Sequence, residues 1–357
     1  ADTPTARFAA AMVRVQALAS GGNRTAAMFW LRRAADAAPT PQARALAVRD
    51  FAYVRARNPL SVEFAFSAAP SSNVNNGSRY ETITVFGTPF TLSPAARALS
   101  GGVLAAGLRI GFRLSESAVH RTDLRMTATH RAVWISDPAG AGVDPGDFAF
   151  SSVEAMLEHR RRPGGGPVQW TLGATAGRNW YGGAPLSDYL RLEAGWDRPL
   201  AGSRHLRLGL GAEKQWRLDS AARNAEVLSL RAGIVQAFAN GDRLRAEGTL
   251  RATFSAAPEV SNGAAALRLT WDRAAPVMGL RFGASAGIEG RDYGPSPLAP
   301  GGRQDLRLDA TLSLTVERLG YLGFAPVIDL RAVRSGSTVP IYDGTDIGIS
   351  IGFRSVF

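Results

Sequence analysis

The sequence predicts an all-β transmembrane barrel of about 14 antiparallel strands, preceded by a short N-terminal α-helical segment. Three observations support this prediction. Long stretches alternate strictly between apolar residues and small or charged ones, as in the terminal DIGISIGFRSVF. The 357 residues contain no apolar run of the roughly 18 residues that a membrane helix needs. Short turns alternate with longer loops along the chain, which is the pattern of membrane barrels.

Residues 1–58 are predicted to be helical. The segments ARFAAAMVRVQALAS, TAAMFWLRRAADAA and PQARALAVRDFAYVRAR carry apolar residues at helical spacing, and GGN and PTP separate them. The spacing is similar to that of tetratricopeptide-type repeats, whose period is about 34 residues. Two interpretations stay open, a helical cap or plug and a surface that binds a client protein. For the second, the candidate contacts are Phe29, Trp30 and Phe51.

Residues 59–357 are predicted to form the barrel. An even number of strands places both ends of the barrel in the periplasm. The run RYETITVF at 79–86 lies in the longest loop and is predicted to be an extracellular or infolded hairpin. The predicted strands are 61–69, 103–115, 119–135, 147–160, 167–179, 187–198, 204–217, 224–237, 243–254, 262–273, 277–290, 304–317, 324–334 and 344–357.

One parity of these strands is predicted to face a polar lumen. Charges such as Glu247 and Asp309, in the middle of long strands, would be costly in a sandwich core but suit a wet interior where they pair with arginines. The lumen-facing charges are predicted to be Arg109, Arg113, Arg231, Arg243, Arg245, Glu247, Arg251, Arg268, Asp309 and Glu317.

The connections and the aromatic residues give the barrel an orientation. Tight turns are predicted near 115, at 161–166, near 200, at 239–242, at 273–276 and near 320. Longer outer segments are predicted around 70–100, 136–147, 180–187, 218–224, 255–262, 291–303 and 335–343. Girdles at the membrane interfaces are predicted from Trp134, Trp170, Trp180, Trp196, Trp216, Trp271 and Tyr189.

An asparagine-rich stretch follows the first predicted strand. Asn73, Asn75 and Asn76 precede Gly77, and such a stretch is typical of a tight turn. The same three residues are candidates for contact with a client or for a gate, and the sequence leaves both interpretations open.

Several functions find no support in the sequence. The formal charge of +11 comes almost entirely from arginine, with Lys214 the one lysine, and it is spread over the chain without a nucleic-acid-binding motif. No cofactor or metal is predicted, because there is no cysteine, the four histidines lack metal-ligand spacing, and no glycine-rich phosphate loop occurs. The motif GASAG at 283–287 resembles a nucleophile elbow, but Ser285 falls within a predicted strand, so we predict no enzyme activity.

A helical segment followed by NPLSVEFAFSAAPSSNVNNGS, a fourteen-strand barrel and the terminal YDGTDIGISIGFRSVF resembles the surface lipoprotein assembly modifier family of outer-membrane proteins. The resemblance implies delivery of lipoproteins, or in some branches soluble proteins, from the periplasm to the cell surface. The helical part here is about 58 residues, which is shorter than the full repeat array of that family.

Two functions therefore remain, a translocator of client proteins and a diffusion porin for small anions, which a ring of lumen arginines would favour.

In the closing strand, Gly348 and Gly352 are consistent with a loose seam between first and last strands and also with ordinary filling of the lumen. Phe357 is assigned to recognition by the barrel-assembly machinery, by resemblance to outer-membrane barrels. The expected state is a monomer in the outer membrane, with a signal peptide already removed, the helices in the periplasm, and lipid and a surface or secreted client as partners.

Overall fold

A computed structural model describes residues 3–85, 87–137, 139 and 142–355. Phe357 lies outside the described residues. The helices are α1 Pro4–Ser20, α2 Arg24–Ala37 and α3 Pro41–Arg57. The strands are β1 Leu60–Ser71, β2 Thr82–Val85, β3 Thr88–Thr91, β4 Gly101–Glu116, β5 His120–Ile135, β6 Phe150–Arg161, β7 Gln169–Tyr181, β8 Ala184–Leu200, β9 Arg204–Arg217, β10 Ala225–Ala237, β11 Arg243–Ser255, β12 Asn262–Asp272, β13 Leu280–Tyr293, β14 Arg303–Val316, β15 Phe324–Ser337 and β16 Gly344–Ser355.

The three helices begin at side chains that cap their first turns. Thr3, Asn23 and Thr40 each accept a hydrogen bond from the backbone N–H three residues on. Helix α2 packs against both α1 and α3, and the largest fully buried side chains of this small core are Leu31 and Phe51. None of the described helices is long and apolar enough to span a membrane.

The strands β1 and β4–β16 form a closed antiparallel barrel in chain order, with β1 between β16 and β4. The prediction of a barrel of about 14 strands after an N-terminal helical segment is confirmed. The short strands β2 and β3 pair only with each other, as a hairpin inside the longest loop. This hairpin begins at Thr82, three residues later than the sequence predicts.

The outer face of the barrel is an apolar belt between two rings of tryptophan. On β7, Leu172 is 60% exposed and faces outward, whereas Thr175 is 3% exposed and faces the lumen. Trp170 and Trp180 lie on the outward parity of the same strand, about 33 Å apart along it. At the usual strand tilt this distance spans the apolar band of about 25 Å that outer-membrane barrels have.

The remaining barrel tryptophans also lie near one of the two ends of the barrel. Trp196 and Trp271 lie with Trp170 near the end that holds the chain termini, and Trp134 and Trp216 lie with Trp180 near the opposite end. The prediction for Tyr189 is wrong, because this side chain is buried on the lumen parity of β8 and donates to Glu154 at 2.7 Å. Trp196, an even-numbered residue of the same strand, is on the outward parity, so the two residues cannot belong to one girdle.

The two ends of the barrel differ in their connections. The end that carries α3 and the last described residues, called the terminal end below, has the short turns at 117–119, 162–168, 201–203, 238–242, 273–279 and 317–323. The opposite end, called the loop end, carries the segment 72–100 that contains the β2–β3 hairpin. One expected loop is absent, because β7 and β8 are joined by Gly182 and Gly183 alone, both at positive φ, as a two-residue hairpin of this kind requires.

We predict that Phe51→Ala unfolds the helical segment while the barrel stays intact. Phe51 is 1% exposed in a three-helix core, and removing such a side chain costs about 3–5 kcal/mol, a large share of the stability of so small a unit. Limited proteolysis should cleave residues 3–58 faster in this variant. The matched control is Tyr53→Ala, two residues away and 59% exposed, which should be cleaved like the wild type. Equal cleavage of the two variants would contradict the assignment of the core.

Candidate functional site: the lumen, its loop and the β1–β16 seam

The lumen wall is lined with paired charges. On β5 and β6, Asp123 accepts from Arg121 at 2.7 Å and from Arg160 at 3.0 Å. The sequence-predicted lumen charges lie on the lumen parity, and most have partners. The pairs are Arg109 with Glu63 at 3.2 Å, Arg113 with Glu116 at 2.7 Å, Arg231 with Glu193 at 2.5 Å, Arg251 with Glu289 at 3.5 Å, Arg268 with Asp309 at 2.9 Å, and Arg281 with Glu317 at 2.6 Å.

A smaller set of lumen charges has no such partner. Within the described ranges, Arg243 and Arg245 have no carboxylate within 4.0 Å, and Glu247 has no basic group at that distance. Arg307 and Arg331 likewise have no described carboxylate within 4.0 Å. The wall formed by β11, β14 and β15 therefore carries uncompensated positive charge.

The asparagine-rich stretch fastens the loop 72–100 to itself. Asn75 donates to the carbonyl oxygens of Ala95 at 2.9 Å and Arg97 at 2.6 Å, and accepts from the Leu99 N–H at 3.0 Å. Asn73 exchanges two hydrogen bonds with Gly77, at 2.8 and 2.9 Å. Both asparagines are buried. These side chains organise the loop in this conformation and do not present their amides to a client.

Asn76 differs from its neighbours. It is exposed and adopts φ 54°, a left-handed conformation that asparagine tolerates better than most residues. The adjacent Gly77 is required by space, because a Cβ atom there would lie 2.1 Å from the carbonyl oxygen of Arg97. The stretch is therefore a tight turn that packs against residues 95–99, the last part of the same loop.

The loop is also attached to the barrel on both sides of β1. Arg131 of β5 donates to the Val74 carbonyl at 2.8 Å, which places the buried Val74 against the lumen side of the wall. Arg79 pairs with Asp343 at 3.0 Å, and Arg334 of β15 bonds to the same carboxylate. The loop 72–100 thus folds over the loop end of the barrel and bridges the β4–β5 side to the β15–β16 side.

The three candidate residues of the helical segment have different environments. Phe29 is 49% exposed and meets Trp30 edge to face, with ring centroids 6.0 Å apart. Trp30 is half-buried between the guanidinium groups of Arg14 and Arg33, at 4.4 and 4.9 Å from its ring. Phe51 belongs to the core and is not accessible to a client in this conformation.

Helix α2 is bonded to the terminal end of the barrel. Arg32 donates to the Leu322 carbonyl and to Ser355 Oγ, each at 3.0 Å, and Asp36 accepts from the Leu322 N–H at 2.9 Å. The Arg32 guanidinium lies over the Phe324 ring at 4.6 Å. Burial, with Arg55 nearby, lowers the pKa of Arg32. These contacts hold the β14–β15 turn and the end of β16.

Helix α3 holds the other side of the same region. It leads through Asn58 directly into β1, and Arg113 of β4 donates to the carbonyl oxygens of Ala56 at 2.9 Å and, through its backbone N–H, of Pro59 at 2.8 Å. The helical segment is therefore attached to β1 and β4 on one side and to β15 and β16 on the other, across the seam where the barrel closes.

The seam between β1 and β16 is paired over part of its length only. On its other edge, β1 pairs with β4 from Leu60 to Ser71 without interruption. Against β16, the described pairs are Ser67 with Gly352, Ala68 with Ile351 and Ser71 with Gly348. Among the described pairs, the pairing of β1 with β16 ends at Ser67 and Gly352. The described pairs of the seam therefore lie toward the loop end.

The two glycines of the closing strand lie in the paired part. A Cβ atom on Gly352 would lie 2.7 Å from the Phe66 carbonyl oxygen, and one on Gly348 would lie 2.7 Å from that of Pro70. Both distances are shorter than any ordinary carbon–oxygen contact, so only glycine permits the strands to approach this closely. Pro70 also has no N–H to donate across the seam.

A cavity of about 1850 Å³ lies behind the part of the seam nearer the terminal end. Helices α2 and α3 contribute Arg32, Phe51 and Arg55 to its floor, and strands from opposite walls of the lumen form its sides. Its lining also includes Phe64 of β1 and Phe353 of β16, which belong to the outward parity. The cavity, called the chamber below, therefore continues from the lumen into the gap between the first and last strands.

The motif GASAG does not form a nucleophile elbow in this structure. Ser285 lies within β13, paired with Thr270 and Thr311, whereas a nucleophile elbow needs a strand–turn–helix context. No three His, Cys, Asp or Glu side chains of the described residues group as metal ligands.

Comparisons with known proteins give the following result. No protein-family model matches the chain, and no curated protein matches it significantly. Among solved structures, it is similar to the outer membrane channel DcaP of Acinetobacter baumannii, at 8% identity over 82% of this chain and 97% of that chain, with a TM-score of 0.46. An anion-selective porin from Comamonas acidovorans matches at 11% identity over 84% and 100%, with a TM-score of 0.42. CdiB from Acinetobacter baumannii matches at 13% identity over 82% and 59%, also with a TM-score of 0.42. Similarity at this level assigns no function.

We predict that Asn75→Ala loosens the loop 72–100, whereas Asn76→Gly does not. The first change removes three hydrogen bonds from buried carbonyl and N–H groups, a loss on the order of 3 kcal/mol of local stability. The second leaves those bonds in place and keeps the left-handed conformation accessible. Hydrogen exchange should show faster exchange at the Leu99 amide in Asn75→Ala alone. Equal exchange in the two variants would contradict this account of the loop.

We predict that Gly352→Ala weakens the β1–β16 seam. Its methyl group must displace the Phe66 carbonyl, and overpacking of this kind costs about 1–3 kcal/mol. Disulfide formation between Ala68→Cys and Ile351→Cys, which are direct partners in a chain without cysteine, reports the pairing and should slow by about fivefold or more. Gly263→Ala, with open space around it on β12, is the control. An unchanged rate in Gly352→Ala would mean that the seam is not tightly packed.

Proposed function

We propose that this protein is an outer-membrane translocator that delivers client proteins to the bacterial cell surface, or displays them there, in the manner that the resemblance to surface lipoprotein assembly modifiers implies. The observation that supports the proposal most directly is the chamber, whose lining includes the outward-parity Phe64 of β1 and Phe353 of β16 at the junction of first and last strands. A client that enters the chamber could leave the barrel sideways through this seam. No enzymatic step is part of the proposal.

The cost of unpaired backbone supports a functional role for the seam. In hydrocarbon each unsatisfied N–H or C=O group costs several kcal/mol, so a barrel normally pairs every strand along its full length. Among the described residues, the other β-strand neighbours are paired almost throughout, and the fewest pairs fall at the junction of first and last strands. A constitutively sealed barrel would not need this arrangement.

The positions of the helices fit the same role. We place the terminal end, with its short turns, in the periplasm, as in other outer-membrane barrels. The helical segment then lies on the periplasmic side and is attached to both sides of the seam through Arg32, Asp36 and the α3–β1 junction. The exposed Phe29, with the adjacent Trp30, stays a candidate contact for clients. Phe51 belongs to the helical core, and the buried asparagines organise the loop 72–100 at the other end of the barrel.

A diffusion porin for small anions is the second candidate. The observation in its favour is the uncompensated charge of Arg243, Arg245, Arg307 and Arg331 on the lumen wall, since rings of arginine favour anions. Against it, α2 and α3 cover part of the terminal end, and the loop 72–100 folds over the loop end. Small solutes can diffuse through the barrel only if the helices and the loop 72–100 leave a continuous path through the lumen.

The test is to lock the seam between β1 and β16 on the terminal-end side of the described pairs. Because the chain has no cysteine, Ala65→Cys and Arg354→Cys can be introduced at positions that the existing register would place opposite each other. A disulfide, or a short bis-maleimide bridge where the gap exceeds disulfide geometry, holds the seam closed. We expect the lock to deplete clients from the surface, measured by protease shaving of intact cells with total lysate as reference.

The control is a cross-link that leaves the seam free. Thr249→Cys and Ala266→Cys are direct partners on β11 and β12, and locking them should leave delivery unchanged. Reduction of the seam disulfide should restore delivery. If the surface proteins are the same with the seam locked, with it free and with the protein deleted, the translocator proposal is wrong. Anion conductance of the purified barrel would then support the porin.

A further inference from the structure

Arginine and lysine side chains on the outer face of the barrel have different partners at its two ends. Near the loop end, Arg178 on the outward parity of β7 pairs with Asp188 of β8 at 2.6 Å. Lys214 of β9 pairs with Glu226 of β10, also at 2.6 Å. Near the terminal end, Arg161 on the outward parity of β6 is exposed, and no described carboxylate lies within 4.0 Å of its guanidinium group. Arg161 therefore lacks the partner that carboxylates supply at the loop end.

Two histidines lie beside Arg161 on the same face. His120 of β5 is the direct cross-strand partner of Arg161, and His159 precedes Arg161 by two residues on β6. Positions related in these ways have their Cβ atoms about 5–7 Å apart. The two imidazole rings stack with their centroids 6.0 Å apart. The three side chains, called the interfacial patch below, therefore form one cluster on the outer surface.

Hydrogen bonds orient both histidines through Nδ1. Ser117 Oγ lies 2.8 Å from His120 Nδ1, and it also accepts from the backbone N–H groups of Val119 and His120. Because this oxygen already accepts twice, its own proton is donated to Nδ1, and the imidazole proton of His120 is then on Nε2. Thr122 Oγ1 lies 2.9 Å from His159 Nδ1. No described group bonds to either Nε2 atom, so both remain for a ligand.

The interfacial patch lies at the depth of lipid head groups. Trp170 of β7 is the cross-strand partner of Arg161 on its other side, and Trp196 of β8 is the partner of Trp170. Tryptophans at the ends of barrel strands mark the boundary between hydrocarbon and head groups. Arg198, two residues beyond Trp196 on the outward parity, also has no described carboxylate within 4.0 Å. The positive charge of this face therefore lies at the level of the lipid phosphates.

An apolar groove on the outer surface leads from the patch toward the middle of the membrane. Its lining includes Leu157, His159 and Leu172, and the leucines belong to the outward parity. Large and small side chains alternate across the strands, because Leu172 is paired with Ala194 and Leu157 with Ala174. The alanines leave depressions between the leucines. An acyl chain whose head group is at the patch can lie in this groove.

We infer that the interfacial patch binds the phosphate group of an anionic phospholipid, one acyl chain of which lies in the groove. A guanidinium group binds phosphate oxygens through two parallel N–H donors, and Arg161 is free to do so. The Nε2–H of His120 supplies a further donor. A lipid is favoured over free phosphate because the groove begins at His159, within the patch.

This inference goes beyond the proposed function and does not depend on translocation. With the terminal end in the periplasm, the bound lipid belongs to the inner leaflet of the outer membrane. Lipid binding and the seam lock test different parts of the barrel, so failure of one leaves the other in place.

The test is native mass spectrometry of the purified protein in a neutral detergent, titrated with lipids that share the same two oleoyl chains. The three lipids are phosphatidylglycerol, phosphatidylcholine and diacylglycerol. We expect phosphatidylglycerol to bind at least about fivefold more tightly than either of the others, because its phosphate charge is not balanced by a cation of its own. Equal affinities would overturn the inference, since the acyl chains alone would then explain binding. Displacement of the lipid by an equal concentration of inorganic phosphate would also overturn it and assign the patch to free phosphate.

Two arginine variants test the head-group contact. Arg161→Gln should weaken binding of phosphatidylglycerol about fivefold, which is the effect of one arginine near a membrane surface. The matched control is Arg178→Gln, also on the outward parity but at the loop end, which should bind like the wild type. His120→Phe keeps an aromatic ring without the Nε2 donor and should also weaken binding. Heat-modifiable migration on gels verifies folding, and wild-type affinity in folded Arg161→Gln and His120→Phe would overturn the head-group site.

Two alanine variants test the groove. Ala194→Phe places a ring beside Leu172 and should weaken binding of the dioleoyl lipid, but not of phosphatidylglycerol with six-carbon chains. The control is Ala132→Phe, on the outward parity of β5 and outside the groove, which should change neither affinity. Equal binding of the dioleoyl lipid by the two folded variants would overturn the place of the acyl chain.

Discussion

The constraint on which this structure depends is that backbone N–H and C=O groups within the membrane must find partners in the protein. Closure of the sheet is the only solution open to strands, and because every neighbouring pair, including β1 with β16, is antiparallel, the ring has an even number of strands. The alternation of side chains then follows, with leucine and isoleucine toward lipid and arginine–carboxylate pairs toward the lumen. The same constraint applies to the seam between β1 and β16, where the two ends of the barrel meet.

The loop 72–100 and the helices both lie at the junction of the first and last strands. The loop 72–100 joins the β4–β5 side to the β15–β16 side at the loop end through Arg131 and Asp343. The helices join the same two sides at the terminal end through Arg113 and Arg32. The seam strands are therefore held at both ends by segments that are not part of the barrel, and any motion of the seam is coupled to those segments.

The features that could be predicted from the sequence are those that depend on residues close together along the chain. Parity along a strand is visible in the residues, so the strand number, the outward tryptophans and the lumen side of residues such as Arg268 and Asp309 could be predicted. The same parity rule, applied to Tyr189, would have placed it in the lumen. The Gly182–Gly183 turn was also within reach, since paired glycines permit the positive φ angles of a two-residue hairpin.

Tertiary structure decided what depends on residues far apart in sequence. That Asn73 and Asn75 bind their own loop, and that Phe51 is enclosed by three helices, follows from chain segments that meet only after folding. The pairing of Gly352 against Phe66 is set by closure between the two ends of the barrel. The sequence by itself determined the barrel, because the alternation of side chains and the residues that form turns depend only on near neighbours in the chain. Only the folded chain decided how far the seam closes, because strands almost three hundred residues apart find their register through the whole circumference between them.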